Sequence, residues 1–266
     1  MTGLSFLTFN IGNPSTERAA RQLAWLAGRD EHVLVLTETK ASAGCQLLAD
    51  AFRAAGWVTA FPAPDGDYGT MIVSRIPAEP ALFGDRIGYL PARAAAVTLD
   101  LPVGPLLVTG LYVPSRDASP GKTERKRRWL AACDAAIAAA PPAVLLGDLN
   151  ILEPGHQPHY PFFAPFEYDF YRALTTRHAM TDAFRHLYPG HDDYSWVGRT
   201  GDGYRYDHAF CADTLRDRIT ACQYLHEPRH DRLSDHSALS LRLSLAPPPP
   251  LPANDPATAL EPLSLF

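Results

Sequence analysis

Several things are scarce in this 266-residue chain, and each scarcity excludes a class of protein. Cysteine is one: Cys45, Cys133, Cys211 and Cys222 are scattered, with no Cys-x-x-Cys pair. Neither a disulfide frame nor a thiolate zinc site is expected, and the four read as reduced, buried thiols of a cytoplasmic protein. Long apolar runs are also missing. None approaches the roughly 18–20 residues that cross a bilayer. Met1-Thr2-Gly3-Leu4 opens without the basic region, apolar stretch and cleavage site of a secretory signal. Positive charge is short as well: 24 basic residues face 29 acidic ones, a formal net charge of −5. That excludes a generic polybasic nucleic-acid binder and leaves room for a local basic groove. With 46% hydrophobic and 20% charged residues, a full core is available and wholesale disorder is excluded.

Proline, by contrast, is plentiful, with 25 residues, seven of them after Ala246. Residues 246–266 read as a Pro-rich tail, extended or disordered; the alternative is a ligand for a partner's aromatic groove. No second linker and no internal repeat precede it, so residues 1–245 read as one domain.

Short apolar runs predict strands over Leu4–Phe9, Val33–Leu36, Thr70–Ser74, Ala95–Leu101, Leu106–Val113, Ala143–Leu146, His208–Cys211 and Leu239–Leu245. Val97, Leu99 and Leu101 alternate with polar residues, as do Leu239, Leu241, Leu243 and Leu245, so these strands should each keep one wet face. Val33–Leu36 and Val144–Leu146 are apolar throughout and should lie mid-sheet, covered on both sides. Helices are predicted from a Ser15 or Thr16 cap through Ala27, over Gln46–Ala55 before Gly56, over Thr123–Ala140 and over Phe166–Arg177. Arg125, Lys126, Arg127 and Arg128 open the third of these against its dipole, either as a solvated face or for an anionic partner. Strands and helices so mixed predict a layered α/β sandwich.

Polar residues gather where the apolar runs end. Asn10, Thr37-Glu38, Tyr112 and Gly147-Asp148-Leu149-Asn150 follow four runs, and Asp207-His208 and Ser234-Asp235-His236 open two late ones. If those ends share one edge, they converge in a single cleft. Glu38, Asp207 and Asp235 beside Asp148, with two asparagines and no cysteine, suit a hard cation such as Mg²⁺ or Mn²⁺. Such a cluster repels itself unless a metal or a shared proton offsets it. Any one of these acids alone would pass for an ordinary strand-end group; the set points to catalysis.

The series Phe9-Asn10-Ile11-Gly12, Thr37-Glu38-Thr39-Lys40, Tyr68-Gly69, Tyr112-Val113-Pro114, Gly147-Asp148-Leu149-Asn150-Ile151, Arg205-Tyr206-Asp207 and Ser234-Asp235-His236-Ser237 resembles the endonuclease/exonuclease/phosphatase superfamily. Glu38-Thr39-Lys40 and Asp182-Ala183-Phe184-Arg185-His186 with Pro189 and Tyr194-Ser195-Trp196 are most similar to exonuclease III and its abasic-site endonuclease relatives. The match runs over residues 4–243 in the family's order. It implies a four-layer α/β sandwich, two packed mixed β-sheets flanked by helices, that hydrolyses phosphoesters with Mg²⁺ (or Mn²⁺). It implies metal ligation by Glu38, helped by Asn10 and Asp235. Asp148 would orient or deprotonate the attacking water, or protonate the leaving oxygen. Asn150 would bond the water or phosphate, His236 with Asp207 would contact the scissile phosphate, and Tyr112 would bond the phosphate or leaving group. Trp196 would line the nucleotide pocket, the alternative being plain packing; Arg199, Arg205 and Arg116 read as phosphate clamps or as surface salt bridges, with Arg205 the expected clamp, and Ser115 is a further substrate contact. Physical chemistry agrees: charge grows on phosphoryl oxygens during attack, and a cation and an imidazolium aimed there stabilise it.

The pattern also departs from the family. Gly12 stands where close relatives often carry Asn or Asp, and Ser115 replaces an amide. The stretch Gln157-Pro158-His159-Tyr160-Pro161-Phe162-Phe163 has no match, and the loop from Trp196 to Asp207 is shorter. The leading expectation is a monomeric DNA phosphodiesterase of exonuclease III type, acting at 3′ ends and/or abasic sites, with no membrane partner. The net charge and the altered stretch favour a second: a phosphatase or phosphodiesterase for a small phosphorylated metabolite or lipid headgroup. A non-catalytic phosphate-binding domain is the third.

Overall fold

In a computed structural model, which describes residues 3–62, 66–157 and 160–259, the apolar runs form two six-stranded sheets laid face to face. Met1 and Thr2 of the opening, Pro158 and His159 of the unmatched stretch, and the final seven residues of the expected tail lie outside the described residues. The strands are β1 (Leu4–Asn10), β2 (Val33–Thr39), β3 (Val58–Ala60), β4 (Gly69–Ser74), β5 (Ala78–Ala81), β6 (Ala94–Leu101), β7 (Gly104–Tyr112), β8 (Val144–Asp148), β9 (Met180–Asp182), β10 (Trp196–Val197), β11 (Gly203–Tyr204), β12 (Asp207–Ala212), β13 (Ile219–Leu225) and β14 (Ala238–Leu243). The helices are α1 (Thr16–Ala27), α2 (Ala43–Ala54), α3 (Phe83–Ile87), α4 (Pro120–Ala139), α5 (Pro165–Thr175), α6 (Ala183–Leu187), α7 (Glu227–His230) and α8 (Pro256–Ala259). One sheet runs β13-β14-β1-β2-β4-β3 and the other β5-β6-β7-β8-β12-β9; β10 and β11 form a separate ribbon.

Alternation along each strand sorts side chains into three cores. In β2, Val33 and Val35 face the opposite sheet while Leu34 and Leu36 face the helices. In β8, Val144 and Leu146 enter the inter-sheet core and Leu145 the helical side. The inner core holds Phe6, Ile72, Val97, Val108 and Leu241. One outer core packs Leu23, Leu26, Leu48 and Phe52 of α1 and α2 on the first sheet. The other packs Trp129, Ile137, Phe170 and Leu174 of α4 and α5 on the second. Each fully buried side chain of this kind contributes about 1.5–3 kcal/mol. The result is the expected four-layer α/β sandwich, with the two all-apolar strands central in their sheets.

Local signals explain the helix starts. The Ser15 hydroxyl accepts from Arg18 N–H and the Ser42 hydroxyl from Cys45 N–H, each capping its helix. Pro120 and Pro165 stand at the first positions of α4 and α5. The four basic residues of α4 are answered within the chain. Arg125 pairs with Asp67, Lys126 with Glu167 and Arg127 with Glu124, while Arg128 lies over the Tyr89 ring.

After Ala246 the chain has no regular structure until α8, yet Leu251 N–H bonds Arg75 O and Asn254 N–H bonds Ala55 O. Pro256 is buried, and α8 packs against α1 and α2. All four cysteines are free and buried. Among the described residues no helix is long and apolar enough to cross a membrane.

Gly147, in β8 opposite Leu111 of β7, has φ of 144°. A Cβ there would collide with the Leu111 carbonyl in a backbone conformation side chains rarely adopt. Gly147→Ala is expected to lower stability by about 2–3 kcal/mol, read as a fall in the urea midpoint at unchanged slope.

Candidate active site

The topology brings the polar strand ends to one edge. β1 and β2 are parallel, and so are β7 and β8, so their C-terminal ends face the same way. β14 runs antiparallel to β1 and β12 antiparallel to β8, which puts the starts of those strands there too. In register across the second sheet stand Tyr112, Asp148 and Asp207.

Asn10, at the end of β1, crosses from one sheet to the other. Its Nδ2 donates to Asp148 Oδ2 at 2.9 Å and to Glu38 Oε2 at 3.1 Å, while its Oδ1 accepts from Gly12 N–H. Glu38 reaches this point through an irregularity in the β2–β4 pairing between Thr37 and Thr39, where its own φ is 57°. That bulge turns the carboxylate toward the cleft. The Tyr112 hydroxyl donates to the same Glu38 oxygen at 2.9 Å. Burial, then the charges of Glu38 and Asp148, push its own pKa well above the usual phenol value.

Asp148 is 1% exposed. Its Oδ1 accepts from Asn150 N–H at 2.8 Å, and its Oδ2 also takes Asn150 Nδ2 at 3.3 Å. Burial first, and the nearby Asp207 second, push its pKa up to about 7; the His236 charge pulls the other way. Asn150 itself has φ of 48°, a left-handed conformation Asn tolerates better than most residues.

His236 Nδ1 lies 2.7 Å from Asp207 Oδ2. Burial alone would lower the imidazole pKa, yet the Asp207 charge and hydrogen bond, with Asp148 behind, raise it to about 10. Asp207 is fully buried, and its Oδ1 has no partner among the described residues. Asp148, Asp207 and His236 each offer one ligand atom within 4.8 Å of the others.

Several residues the sequence reading missed hold this set. The buried Ser195 hydroxyl accepts from Tyr206 and Asp207 N–H, and its carbonyl accepts from Ser237 N–H. The Tyr224 hydroxyl donates to Asp207 O, and the Ser234 hydroxyl to Asn10 O. Arg93, buried and paired with Asp67, donates to Tyr112 O. Ser234 and Ser195 sit inside quoted motifs; Tyr224 and Arg93 carry no local signal.

Two expected phosphate contacts are elsewhere. Arg205 is 1% exposed, and its guanidinium is spent on Asp182, Glu153 and the Tyr171 hydroxyl. Arg116 is bound to buried Glu167 and to Phe162 O. Neither is free to clamp a phosphate, because each is neutralised inside the fold. Ser115 is exposed. Exposed Asp235 accepts from the Trp196 indole N–H at 3.0 Å. Trp196 lies 5.6 Å from Tyr204 and 6.0 Å from Tyr206, whose two rings are 4° from parallel, giving the cleft an aromatic wall. The unmatched stretch joins that wall through Tyr160, against Tyr204.

The donors fit a hard cation. Glu38 is half-buried, its Oε2 accepts both hydrogen bonds, and its Oε1 has no partner among the described residues. Asn10 turns its Nδ2 to Glu38 and its Oδ1 to Gly12 N–H, so the amide oxygen could join a cation only by turning over; Asp148, Asp207 and His236 converge nearby, with no cysteine among them.

A family model for the Endonuclease/Exonuclease/phosphatase family matches residues 7–236. No curated protein matches the chain. Among solved structures, an AP endonuclease from Archaeoglobus fulgidus has a TM-score of 0.77 at 21% identity, covering 91% of this chain and 100% of its own. The 3′ phosphatase NExo from Neisseria, bound to a product DNA hairpin, has 0.76 at 23%, covering 90% and 99%. The 3′-5′ exonuclease NExo from Neisseria meningitidis has 0.73 at 22%, covering 91% and 100%. The likeness to these structures is one of fold.

The His236–Asp207 pair generates a pH prediction. A pKa raised from 6.5 to about 10 means the pair's stabilisation is complete below about pH 6.5 and is lost as pH rises towards 10. In metal-free protein, imidazole NMR signals of His236 should therefore still be those of the cation at pH 8. In Asp207→Asn the midpoint should fall by more than one unit. An unchanged midpoint would place the source of the shift elsewhere.

Proposed function

Because the chain belongs to the endonuclease/exonuclease/phosphatase family, we propose that it is a divalent-metal-dependent phosphodiester hydrolase acting on DNA at 3′ ends or abasic sites. The observation that carries this is Asp148, buried between the Asn10 and Asn150 amides on one side and the Asp207–His236 pair on the other. Binding a phosphate needs no buried carboxylate with a pKa near neutrality; activating water does.

Each residue then has a role its geometry permits. Asp148, made more basic by burial and by Asp207, takes the proton of the attacking water, and Asn150 orients that water. His236, held as imidazolium by Asp207, donates from its other nitrogen to a phosphoryl oxygen as negative charge develops there. The Tyr112 hydroxyl, kept protonated, bonds the phosphate or the leaving oxygen. Glu38 and Asn10, with Asp235 nearby in sequence to His236, would hold Mg²⁺ or Mn²⁺. That ion would supply fixed positive charge to the phosphoryl oxygens. Trp196 stacks on the nucleotide, and exposed Ser115 serves as a further substrate contact. We take residues 1–245 as the catalytic domain of a cytoplasmic monomer, in keeping with four buried free thiols.

One observation favours a second reading, a small phosphorylated metabolite or lipid headgroup as substrate. Among the described residues, Arg93, Arg116, Arg125, Arg185 and Arg205 are all paired with carboxylates, so they add little to a basic stripe for a DNA backbone. Among the described residues, Lys40, over the Tyr68 ring at 4.1 Å, makes no ion pair with a carboxylate.

A duplex with an abasic site and a labelled recessed 3′ end separates the readings. Cleavage with Mg²⁺, abolished by EDTA and reduced about 10²–10⁴-fold in Asp148→Asn, is the expected result. Folded protein that leaves the duplex intact and hydrolyses a small phosphoester would favour the second reading. Failure on both substrates would overturn hydrolysis altogether.

A further inference from the structure

Beneath the site lies a charged side chain that none of these roles uses. Lys126, in the middle of α4, is 1% exposed, in a position where Trp129, Leu130 and Cys133 are also buried. A lysine is almost never this deeply buried without partners. Its Nζ lies 2.6 Å from Asn150 O and 2.7 Å from Glu167 Oε1, with the Phe163 ring centroid 5.5 Å away. Glu167 is itself fully buried. Its Oε2 accepts from Arg116 Nε at 3.0 Å and from Ala164 N–H at 2.8 Å. Burial pulls the Lys126 pKa down, to about 8, and Glu167 opposes the shift, so the ammonium persists at neutral pH.

We propose that Lys126 is a positioning residue for the reaction: anchored by Glu167, its ammonium grips the Asn150 carbonyl and fixes the left-handed backbone from which Asn150 addresses both oxygens of Asp148. This rests on the hydrolase reading above. The geometry is specific. Asn150 N–H serves Asp148 Oδ1, and its Nδ2 serves Asp148 Oδ2 and Val113 O. A rotation of this peptide would therefore disturb every one of those bonds. The αL conformation costs a non-glycine residue free energy and persists only where neighbours over-determine it. The Asn150 carbonyl is one such handle, and Lys126 holds it. Packing does not require the charge, because a buried ion pair is often no more stabilising than apolar residues of similar volume. The same carboxylate, through Arg116 to Phe162 O, ties down the aromatic stretch that ends at Tyr160 against Tyr204. One buried anion thus anchors both the Asn150 backbone and the wall beside it.

The test uses the full chain with Lys126→Met, Lys126→Arg, and Lys126→Met combined with Glu167→Gln, which leaves no lone buried carboxylate if the single variant fails to fold. On whichever phosphoester the wild type hydrolyses, loss of the ammonium should lower kcat about 10–100-fold with KM within about twofold, and Lys126→Arg should recover most of it. Amide hydrogen exchange at Leu149 and Asn150 should accelerate about tenfold or more, while exchange in Val144–Leu146 stays at the wild-type rate. Unchanged kcat in a folded Met variant overturns the proposal. So does a loss of protection spread evenly through β8, since that is a structural role only. If the wild type hydrolyses no phosphoester, the hydrolase reading fails. The exchange measurement then decides the placement of Asn150 alone, and an unaltered rate at Asn150 overturns it.

Discussion

The bond from Asn10 Nδ2 to Asp148 Oδ2 joins the last residue of β1 to the last residue of β8, one from each sheet. It is where the sandwich closes around its chemistry. A carboxylate buried this deeply would be expelled or neutralised if it lacked donors. Asp148 takes two of them from Asn150, and the third, from Asn10, because the two sheets pack with these ends opposed. The inner core of Val35, Ile72, Val108, Val144 and Leu146 sets that spacing. Its non-directional packing becomes, at the edge, a directional constraint on one carboxyl group. The raised pKa of Asp148 is the electrostatic expression of the same burial.

Around that bond the polar groups are held by carriers that never reach the cleft. Gln22 of α1 donates to Ile11 O and Leu233 O, locking the chain after β1 to the chain before β14. Ser195 and Tyr224 hold Asp207 by its backbone, and Ser234 ties the segment before His236 to Asn10 O. Each is a single hydrogen bond worth about 0.5–1.5 kcal/mol net. Together they help place Asp148, Asp207 and His236 within 4.8 Å of one another. Two of the non-glycine residues with positive φ, Glu38 and Asn150, face Asn10 or Asp148, so backbone strain is stored at the site.

How much of this was legible in the sequence follows from the range of the interactions. Val33–Leu36 and Val144–Leu146 announced central strands because burial on both faces shows as an unbroken apolar run. The strand-end polar residues showed too, since the topology needed to unite them is carried by strand order. Short edge strands such as β3, β5 and β9 did not, for they have too few residues to set up a period. β13 was missed because Ala221 and Cys222 blur its alternation. Arg205 and Arg116 misled for a different reason. Their partners Glu153 and Glu167 lie 52 and 51 residues away, so nothing local tells a buried ion pair from an anion clamp. Lys126 was hidden inside a basic run, where helical geometry alone buries it while Arg127 stays exposed.

That redistribution of arginines has a consequence for how a substrate would be chosen. Were the basic side chains free, affinity would come from phosphate charge, and selection would follow the number of phosphates a ligand offers. With Arg93, Arg116 and Arg205 neutralised inside the fold, the positive charges that would remain around the proposed reaction centre are the His236 imidazolium, Lys40 over the Tyr68 ring and the bound cation of the proposed mechanism. In the proposed mechanism His236 would act on charge that develops during attack, which raises kcat more than it tightens ground-state binding. On the proposed function, ground-state binding would then fall largely to Trp196, Tyr204 and Tyr206, a surface of rings suited to a flat base or sugar face. An enzyme so arranged would recognise the group beside the phosphate more than the phosphate itself. Tyr160 and Phe163 of the unmatched stretch abut that surface against Tyr204 and Tyr206. The residues that depart most from the family's pattern therefore stand where selectivity would be set, while those that match it stand around the bond to be broken.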